Sequence, residues 1–349
     1  MAARTSKVLL DLPKVYNSVL AKFDKNLIKY GFAYGSAVFK QDGTKIARKP
    51  MVDIIFVVDD SLKFHETNLR LNSSHYSFLK SFGPGVISKV QDNWSAKVYF
   101  NTLIPLQEYN AFFKYGIISQ NNLIDDLANW NELYLAGRLH KPVQELYVSN
   151  DKSLSKALAQ NLEFAVHAAL LLLPDSFTDI DLYSTISNIS YNGDFRMLIG
   201  EDKRKVQNIV IPQIEKFHDL YFPTLVKLKD FIYMPETNHP RRCSQDTSAL
   251  ASLHHLLNLP IPIQREIAYQ WNLILVSTQD TEEALCSLAS DPRREKIVQS
   301  VFKRIVINSS IKQSLKGILT AGLLKSVHYS GLKLMKMFKS LKKPTNTSS

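Results

Sequence analysis

Val52 to Val58 constrains the fold more than any other stretch of this chain: it is an apolar, β-branched run with one acid, Asp53, near its start. Such a run fits a strand buried on both faces, inside a sheet that other elements cover. Lys97 to Leu103 (KVYFNTL) alternates and predicts a second strand, so residues 30–104 read as α/β. Beyond them the apolar period changes. Asn121 to Leu139, Ser153 to Leu173 and a stretch around Glu201 to Val210 predict helices. Residues 222–305 read as helical with breaks at Pro235, Pro240, Pro260 and Pro262. No internal repeat is visible.

The chain has 349 residues, 45% hydrophobic and 21% charged, enough for two or three domains with sizeable cores. The longest apolar run, Phe164 to Leu173, holds about ten residues with His167 inside, against the roughly twenty that a bilayer span needs. It reads as a buried helix, and an enzyme acting on lipid would have to approach the membrane from one side. Cys243 and Cys286 lie far apart with no metal-ligand spacing around them, as expected of idle thiols in a reducing compartment. At the N-terminus, Arg4, Lys7 and Lys14 face the single acid Asp11. This suits either a presequence or a first amphipathic helix with Leu9, Leu10, Leu12, Val15 and Leu20 as its apolar face. The helix is the preferred reading.

The net charge of +11 is unevenly placed. Lys296 to Ser349 contains eleven cations and no acid, which leaves the first 295 residues with 32 basic and 32 acidic groups. Within the tail, Leu324, Val327, Leu334, Phe338 and Leu341 recur at helical spacings, with Lys325, Lys333, Lys336, Lys339 and Lys343 between them. A basic amphipathic helix of this kind suits an anionic membrane surface, where each lysine contributes on the order of 1 kcal/mol. Packing on the body with solvated lysines is the plainer alternative. Nucleic acid is not an expected partner, because Tyr329 and Phe338 are the only aromatics after residue 305 and form no stacking pattern.

The stretch that carries chemistry runs Tyr34-Gly35-Ser36-Ala37-Val38-Phe39, then the polar segment Lys40 to Lys49, then Pro50-Met51-Val52-Asp53. Gly35 lets the backbone approach a triphosphate closely. Ser36 offers a hydroxyl and an N–H to phosphate oxygens. Asp53, on a rigid strand, can ligate Mg²⁺ bridging the phosphates and the attacking oxygen. The pattern resembles the nucleotidyltransferase signature of the DNA polymerase β superfamily. It departs at Ile55, where that superfamily usually has a second acid. Asp59, Asp60, Asp42 or a substrate phosphate are the candidates for the missing ligand.

Further segments extend the resemblance: PMVDIIFVVDD, HETNLRLNSSHY from His65, KYGII from Lys114, DLANWNELYLAGRLHKPV from Asp126 and YNGDFRMLIGEDKRKV from Tyr191. Together they resemble the mitochondrial phosphatidate cytidylyltransferase family, over roughly residues 10–330. The resemblance implies an α+β fold: a polymerase-β-like nucleotidyltransferase domain (1–112), a helical, winged-helix-like domain (113–225), a helical C-terminal region (226–305) and a basic amphipathic membrane-associating tail (306–349). It implies a peripheral enzyme on the matrix side of the mitochondrial inner membrane. That enzyme would join CTP to phosphatidic acid with Mg²⁺, making CDP-diacylglycerol for cardiolipin and phosphatidylglycerol synthesis. Two other readings stay open: a nucleotidyltransferase acting on RNA or a small molecule, and a non-catalytic import assembly factor with a dead nucleotidyltransferase fold.

The expected roles follow from the charges involved. A phosphomonoester with a second pKa of about 6 is already mostly dianionic at neutral pH, so the attacking oxygen needs no general base and an acid at position 55 is dispensable. Two anionic reactants need cations. Arg138 and Lys141 in AGRLHKP are the catalytic candidates, and Arg196, Lys203 and Lys205 the further nucleotide-binding ones. His65, Asn68, Asn72 and His75 share one helical face, either as a hydrogen-bonded surface helix or as a polar wall facing the substrate. A metal site there is not expected. Trp94, Trp130 and Tyr134 read as core, and Asp194 and Glu201 as orienting groups.

Overall fold

The computed structural model describes residues 10–39, 50–199 and 204–321. The N-terminal half contains α1 (Leu12–Leu20), β1 (Ile28–Tyr34), β2 (Met51–Val58), α2 (Ser61–Asn72), α3 (Pro84–Asn93), β3 (Tyr99–Leu106) and β4 (Ala111–Ser119). Then follow α4 (Gln120–Asn129), α5 (Leu135–Leu139), β5 (Gln144–Val148), α6 (Lys152–Leu170), β6 (Ser176–Thr178) and α7 (Asp179–Asn188). The remainder comprises α8 (Phe195–Ile199), α9 (Lys205–Val210), α10 (Ile214–Lys227), β7 (Ile232–Tyr233), β8 (Arg242–Gln245), α11 (Ala249–Leu257), α12 (Ile261–Leu275), α13 (Thr281–Ala289) and α14 (Arg294–Ala321). The architecture is mixed α+β, with strand order β3-β4-β2-β1-β5 in the large sheet and β6-β8-β7 in a small one.

β2 is the run singled out from sequence. It pairs antiparallel with β1 and parallel with β4, and Val52 and Ile54 to Val58 are all fully buried. Its two faces feed different cores. Val52, Ile54, Phe56 and Val58 pack with Val15 and Val19 of α1, Phe64 of α2 and Tyr115 of β4. Ile55 and Val57 pack instead with Leu123 and Leu127 of α4 and with Trp130, in the core shared with the helical half. Alternation puts Asp53 on this second face.

Several sequence boundaries shift. Residues 121–139 do not form one helix. α4 ends where Trp130 turns left-handed (φ 54°), and Asp126, buried, accepts the amides of Glu132, Leu135 and Ala136 to start α5. The small sheet was not expected from the sequence. The limits drawn after residues 112, 225 and 305 fall inside β4, α10 and α14, so none of them is a linker. Phe164 to Leu170 lies in α6, most of it buried, and among the described residues no helix is long and apolar enough to cross a membrane.

α14 alters the reading of the basic tail. Lys316 is fully buried and donates to the carbonyls of Gln91 (2.9 Å) and Trp94 (2.8 Å), and Gln313 donates to the Val98 carbonyl (3.3 Å). One of the eleven tail cations therefore clamps α14 to the sheet domain and is no surface charge. Lys325, Lys333, Lys336, Phe338 and Lys339 lie outside the described residues, as do Lys203 and Asp42.

Candidate functional site

Gly35 ends β1 with φ +87°, a conformation that L side chains rarely adopt, and its carbonyl accepts from Val38 (3.1 Å) and Phe39 (3.0 Å). The result is a tight turn with Ser36 exposed at its tip. Asp53 sits directly beside it. Tyr34 pairs with Asp53 across the ladder, and a Cβ placed on Gly35 would lie 3.3 Å from Asp53 Oδ2. The other carboxylate oxygen, Oδ1, lies 3.7 Å from Lys114 Nζ. Lys114 is the register partner of Asp53 on β4, and its ammonium rests 4.2 Å from the Phe100 ring centre. Lys114 carried no assigned role in the sequence reading. Its signal was there, a charge within the apolar strand AFFKYGIIS.

The helical half meets this corner through Arg138. Its guanidinium lies 4.5 Å from the centre of the Tyr34 ring, a cation–π contact joining α5 to the residue before Gly35. Phe39, at the end of the turn, lies under Lys216 of α10 (5.2 Å). Lys141, buried, donates to the Gly137 carbonyl and to Ser190 Oγ (2.9 Å), and its ammonium lies 4.9 Å from the Tyr191 ring. Lys205 lies 5.3 Å from the same ring. Gly137 has no room for a side chain, since a Cβ there would stand 2.2 Å from Ser190 Cβ. That close approach fixes α5, and with it Arg138, against the end of α7.

Burial, followed by the charges of Arg138 and Lys205, pushes the Lys141 ammonium well below the ordinary lysine range. A bound anion would reverse this. Asp194, itself buried, holds Arg196 through bonds of 2.5–3.0 Å, as its orienting role anticipated. Arg138, Lys141, Asp194 and Arg196 line one cleft, with Tyr134, Tyr191 and, from α14, Val306, Ser309 and Ser310. That cleft does not include Asp53 or Gly35; Tyr34 and Arg138 bridge the two. The site thus has an acid-and-turn part on the sheet and a cationic part on the helices.

The His65 face does not belong to it. His65 Nδ1 meets Tyr76 Oη (2.9 Å) and its Nε2 meets Gln91 Oε1 (2.8 Å). Asn68 donates to Tyr76 and Tyr115, Asn72 to Asn68 and the Lys22 carbonyl, and His75 Nδ1 lies 3.0 Å from Tyr115 Oη. Tyr115 pairs with Ile54, so this network lies on the sheet face opposite Asp53 and Lys114. Burial lowers His65 to about 4, so it is neutral at physiological pH. His65, Asn68 and Asn72 lie on α2, whereas His75 falls in the 3-10 turn Ser73–His75 beyond its end, so the four do not share one helix; their hydrogen bonds knit this segment to the sheet face away from Asp53.

Asp59 and Asp60 are also excluded as partners of Asp53. They follow the far end of β2, roughly 20 Å away along the strand; Asp59 pairs with Lys29 and Asp60 caps α2. Trp130 is fully buried and donates to Asn161, as a core residue should, whereas Tyr134 is half-buried and lines the cleft. Among the described residues, the cluster that could hold a metal through three such side chains is His167, His254 and His255, on α6 and α11. His167 and His255 meet Nδ1 to Nδ1 at 2.9 Å. Burial lowers both, to about 4 and about 3, so a hydrogen bond between neutral rings accounts for the contact.

These features define an α+β protein in which a Gly-Ser turn and the strand acid beside it are joined, through Tyr34 and Arg138, to a cationic cleft. Residues 16–336 match the family model described as "Phosphatidate cytidylyltransferase, mitochondrial". Proteins carrying that name are similar along nearly the whole chain. The one from Mus musculus is 44% identical over 325 residues, covering 92% of this chain and 94% of its own length. Those from Danio rerio and Drosophila melanogaster are 43% and 41% identical, covering 93% and 95% of this chain and 94% and 99% of their own. The chain belongs to the mitochondrial phosphatidate cytidylyltransferase family.

Proposed function

We propose that this chain is a CTP:phosphatidate cytidylyltransferase that makes CDP-diacylglycerol and pyrophosphate. The observation that carries the reading is the meeting of Asp53 and the Gly35–Ser36 turn with Arg138 across the Tyr34 ring. In this account the sheet half is the nucleotidyltransferase domain and the helical half its winged-helix-like companion.

The Gly35–Ser36 turn receives the CTP triphosphate. A phosphatidate oxygen attacks the α-phosphorus in line. The new P–O bond forms as the bond to the β-phosphate oxygen breaks, and pyrophosphate leaves with the electron pair. Lys114 and Arg138 offset charge at the reacting phosphates, while Lys141, Lys205 and Arg196 hold the second anion and align it. Phosphate binding restores the charge on Lys141 that burial and its cationic neighbours oppose. Asp194 keeps Arg196 aimed into the cleft.

Asp53 is the residue that would hold Mg²⁺. It belongs to no cluster of three His, Cys, Asp or Glu side chains among the described residues. A single carboxylate completed by substrate phosphates and water suits this ion beside a nucleotide. The bound ion would supply charge neutralisation at the triphosphate. With a dianionic lipid phosphate as nucleophile, Ile55 in place of a second acid costs nothing in proton transfer.

The relatives' names place them in mitochondria, and we extend that to this chain as a peripheral protein on the matrix side of the inner membrane, feeding cardiolipin and phosphatidylglycerol synthesis. The test is to incubate the purified chain with α-phosphate-labelled CTP, Mg²⁺ and phosphatidic acid. The expected result is label in a lipid-soluble product with matching pyrophosphate release. Label entering RNA or a small molecule, or no transfer at all, would overturn the reading in favour of the other two.

A further inference from the structure

The outward side of α14 beyond the cleft is apolar. Ile311, Leu315, Ile318 and Leu319 are 42, 54, 42 and 39% exposed. Their spacings of four, three and one form one helical stripe. The opposite side is clamped through Gln313 and Lys316, so α14 cannot roll to bury the stripe. Beside it stands the 3-10 turn Phe78–Phe82, with Phe78 55% and Phe82 63% exposed and packed edge to face, followed by Val86 of α3 at 38%. Ser77 Oγ donates to the Leu319 carbonyl (3.2 Å), which joins the two segments into one surface. An apolar surface of this kind marks an interaction site.

We propose that this surface seats the protein on an anionic lipid bilayer, with Phe78 and Phe82 inserting beside the α14 stripe. Its α14 residues open the segment 306–349 already expected to associate with membranes, and Phe78, Phe82 and Val86 extend that contact onto the sheet half; the proposal rests on the reading that phosphatidate is the substrate. Two observations favour lipid over a protein partner. The residues after 321 carry six lysines and no acid, and the chain reaches them from Leu319, at the edge of the apolar surface. Lys80 and Lys312, both exposed, flank it. Apolar side chains rimmed by cations complement an anionic interface in both respects. The same helix lines the cleft with Val306, Ser309 and Ser310, so Leu315 stands about 8 Å further along its axis. Docking here brings the cationic cleft within reach of lipid headgroups.

The test is flotation of the full chain with vesicles of phosphatidylcholine containing about a third phosphatidylglycerol, without CTP or phosphatidate. Two double variants are compared with the wild type: Phe78→Ser with Phe82→Ser, and Ile311→Ser with Leu315→Ser. Each is expected to weaken vesicle binding roughly tenfold or more. The unfolding midpoint and the turnover of a short-chain, water-soluble phosphatidate should not change. Wild-type vesicle affinity in both variants would overturn the proposal. So would a wild-type dimer that the variants dissolve without loss of vesicle affinity, because the surface would then be a subunit interface. If the variants lose vesicle binding while even the wild type turns over no soluble phosphatidate, the surface stands and the cytidylyl-transfer reading fails.

Discussion

Replacing Gly35 with alanine separates the two jobs of that residue. Its φ of +87° costs an alanine about 1–2 kcal/mol of fold stability. The new Cβ would also stand 3.3 Å from Asp53 Oδ2, so the carboxylate must give by a few tenths of an ångström. A misplacement of about 1 Å can cost ~100-fold in rate, so this smaller shift should lower kcat roughly tenfold. Gly83→Ala supplies the control: Gly83 has φ +81°, and a Cβ there would meet nothing within 4 Å. Its ψ of 170° makes that backbone essentially glycine-only, so the variant should lose at least as much stability and yet keep full activity. Pyrophosphate release is followed with CTP and phosphatidate varied in turn, and stability by urea unfolding. KM for phosphatidate should not change in Gly35→Ala, because the cationic cleft belongs to the other half. Equal kcat values for the two variants, or a loss confined to phosphatidate KM, would refute the reasoning.

Arg138→Lys keeps the charge but loses the planar contact with Tyr34, and kcat/KM should fall on the order of 100-fold; steady-state kinetics at fixed fold stability decides this. Asn68→Ala should cost about 1–3 kcal/mol in urea unfolding, by leaving the Tyr76 and Tyr115 hydroxyls short of a partner, with KM for CTP unmoved because the network is on the far face of the sheet. Burial lowers Lys316 to about 7 from the usual 10.5. Between those values the unfolded chain binds the extra proton, so stability should rise with pH by up to ~1.4 kcal/mol per unit, and below about pH 7 this slope should vanish. Urea unfolding of Lys316→Met at several pH values should lack that rise.

Much of this was legible because it is local. β2 announces itself by composition, the Gly35–Ser36 turn by its residues, and the spacing of His65, Asn68 and Asn72 by helical period, although the helix stops before His75. What the sequence hid depends on tertiary contacts. Which sheet face the His65 network occupies is decided by the separate cores on either side of β2. The split between α4 and α5 needs Asp126 to capture amides beyond Trp130. β6, β7 and β8 span three, two and four residues, too few to show a period. Lys316 looked like one more tail cation because nothing local reveals that Gln91 and Trp94 point carbonyls at it. Lys114 is the residue that closer reading would have caught, a lone charge in an apolar strand.

The most direct test of the account is turnover as a function of Mg²⁺ in Asp53→Asn beside the wild type, at saturating CTP and phosphatidate. The account predicts a saturable metal dependence in the wild type and a loss of about 1,000-fold or more in the variant at every Mg²⁺ concentration. An Asp53→Asn enzyme within tenfold of the wild type would contradict it.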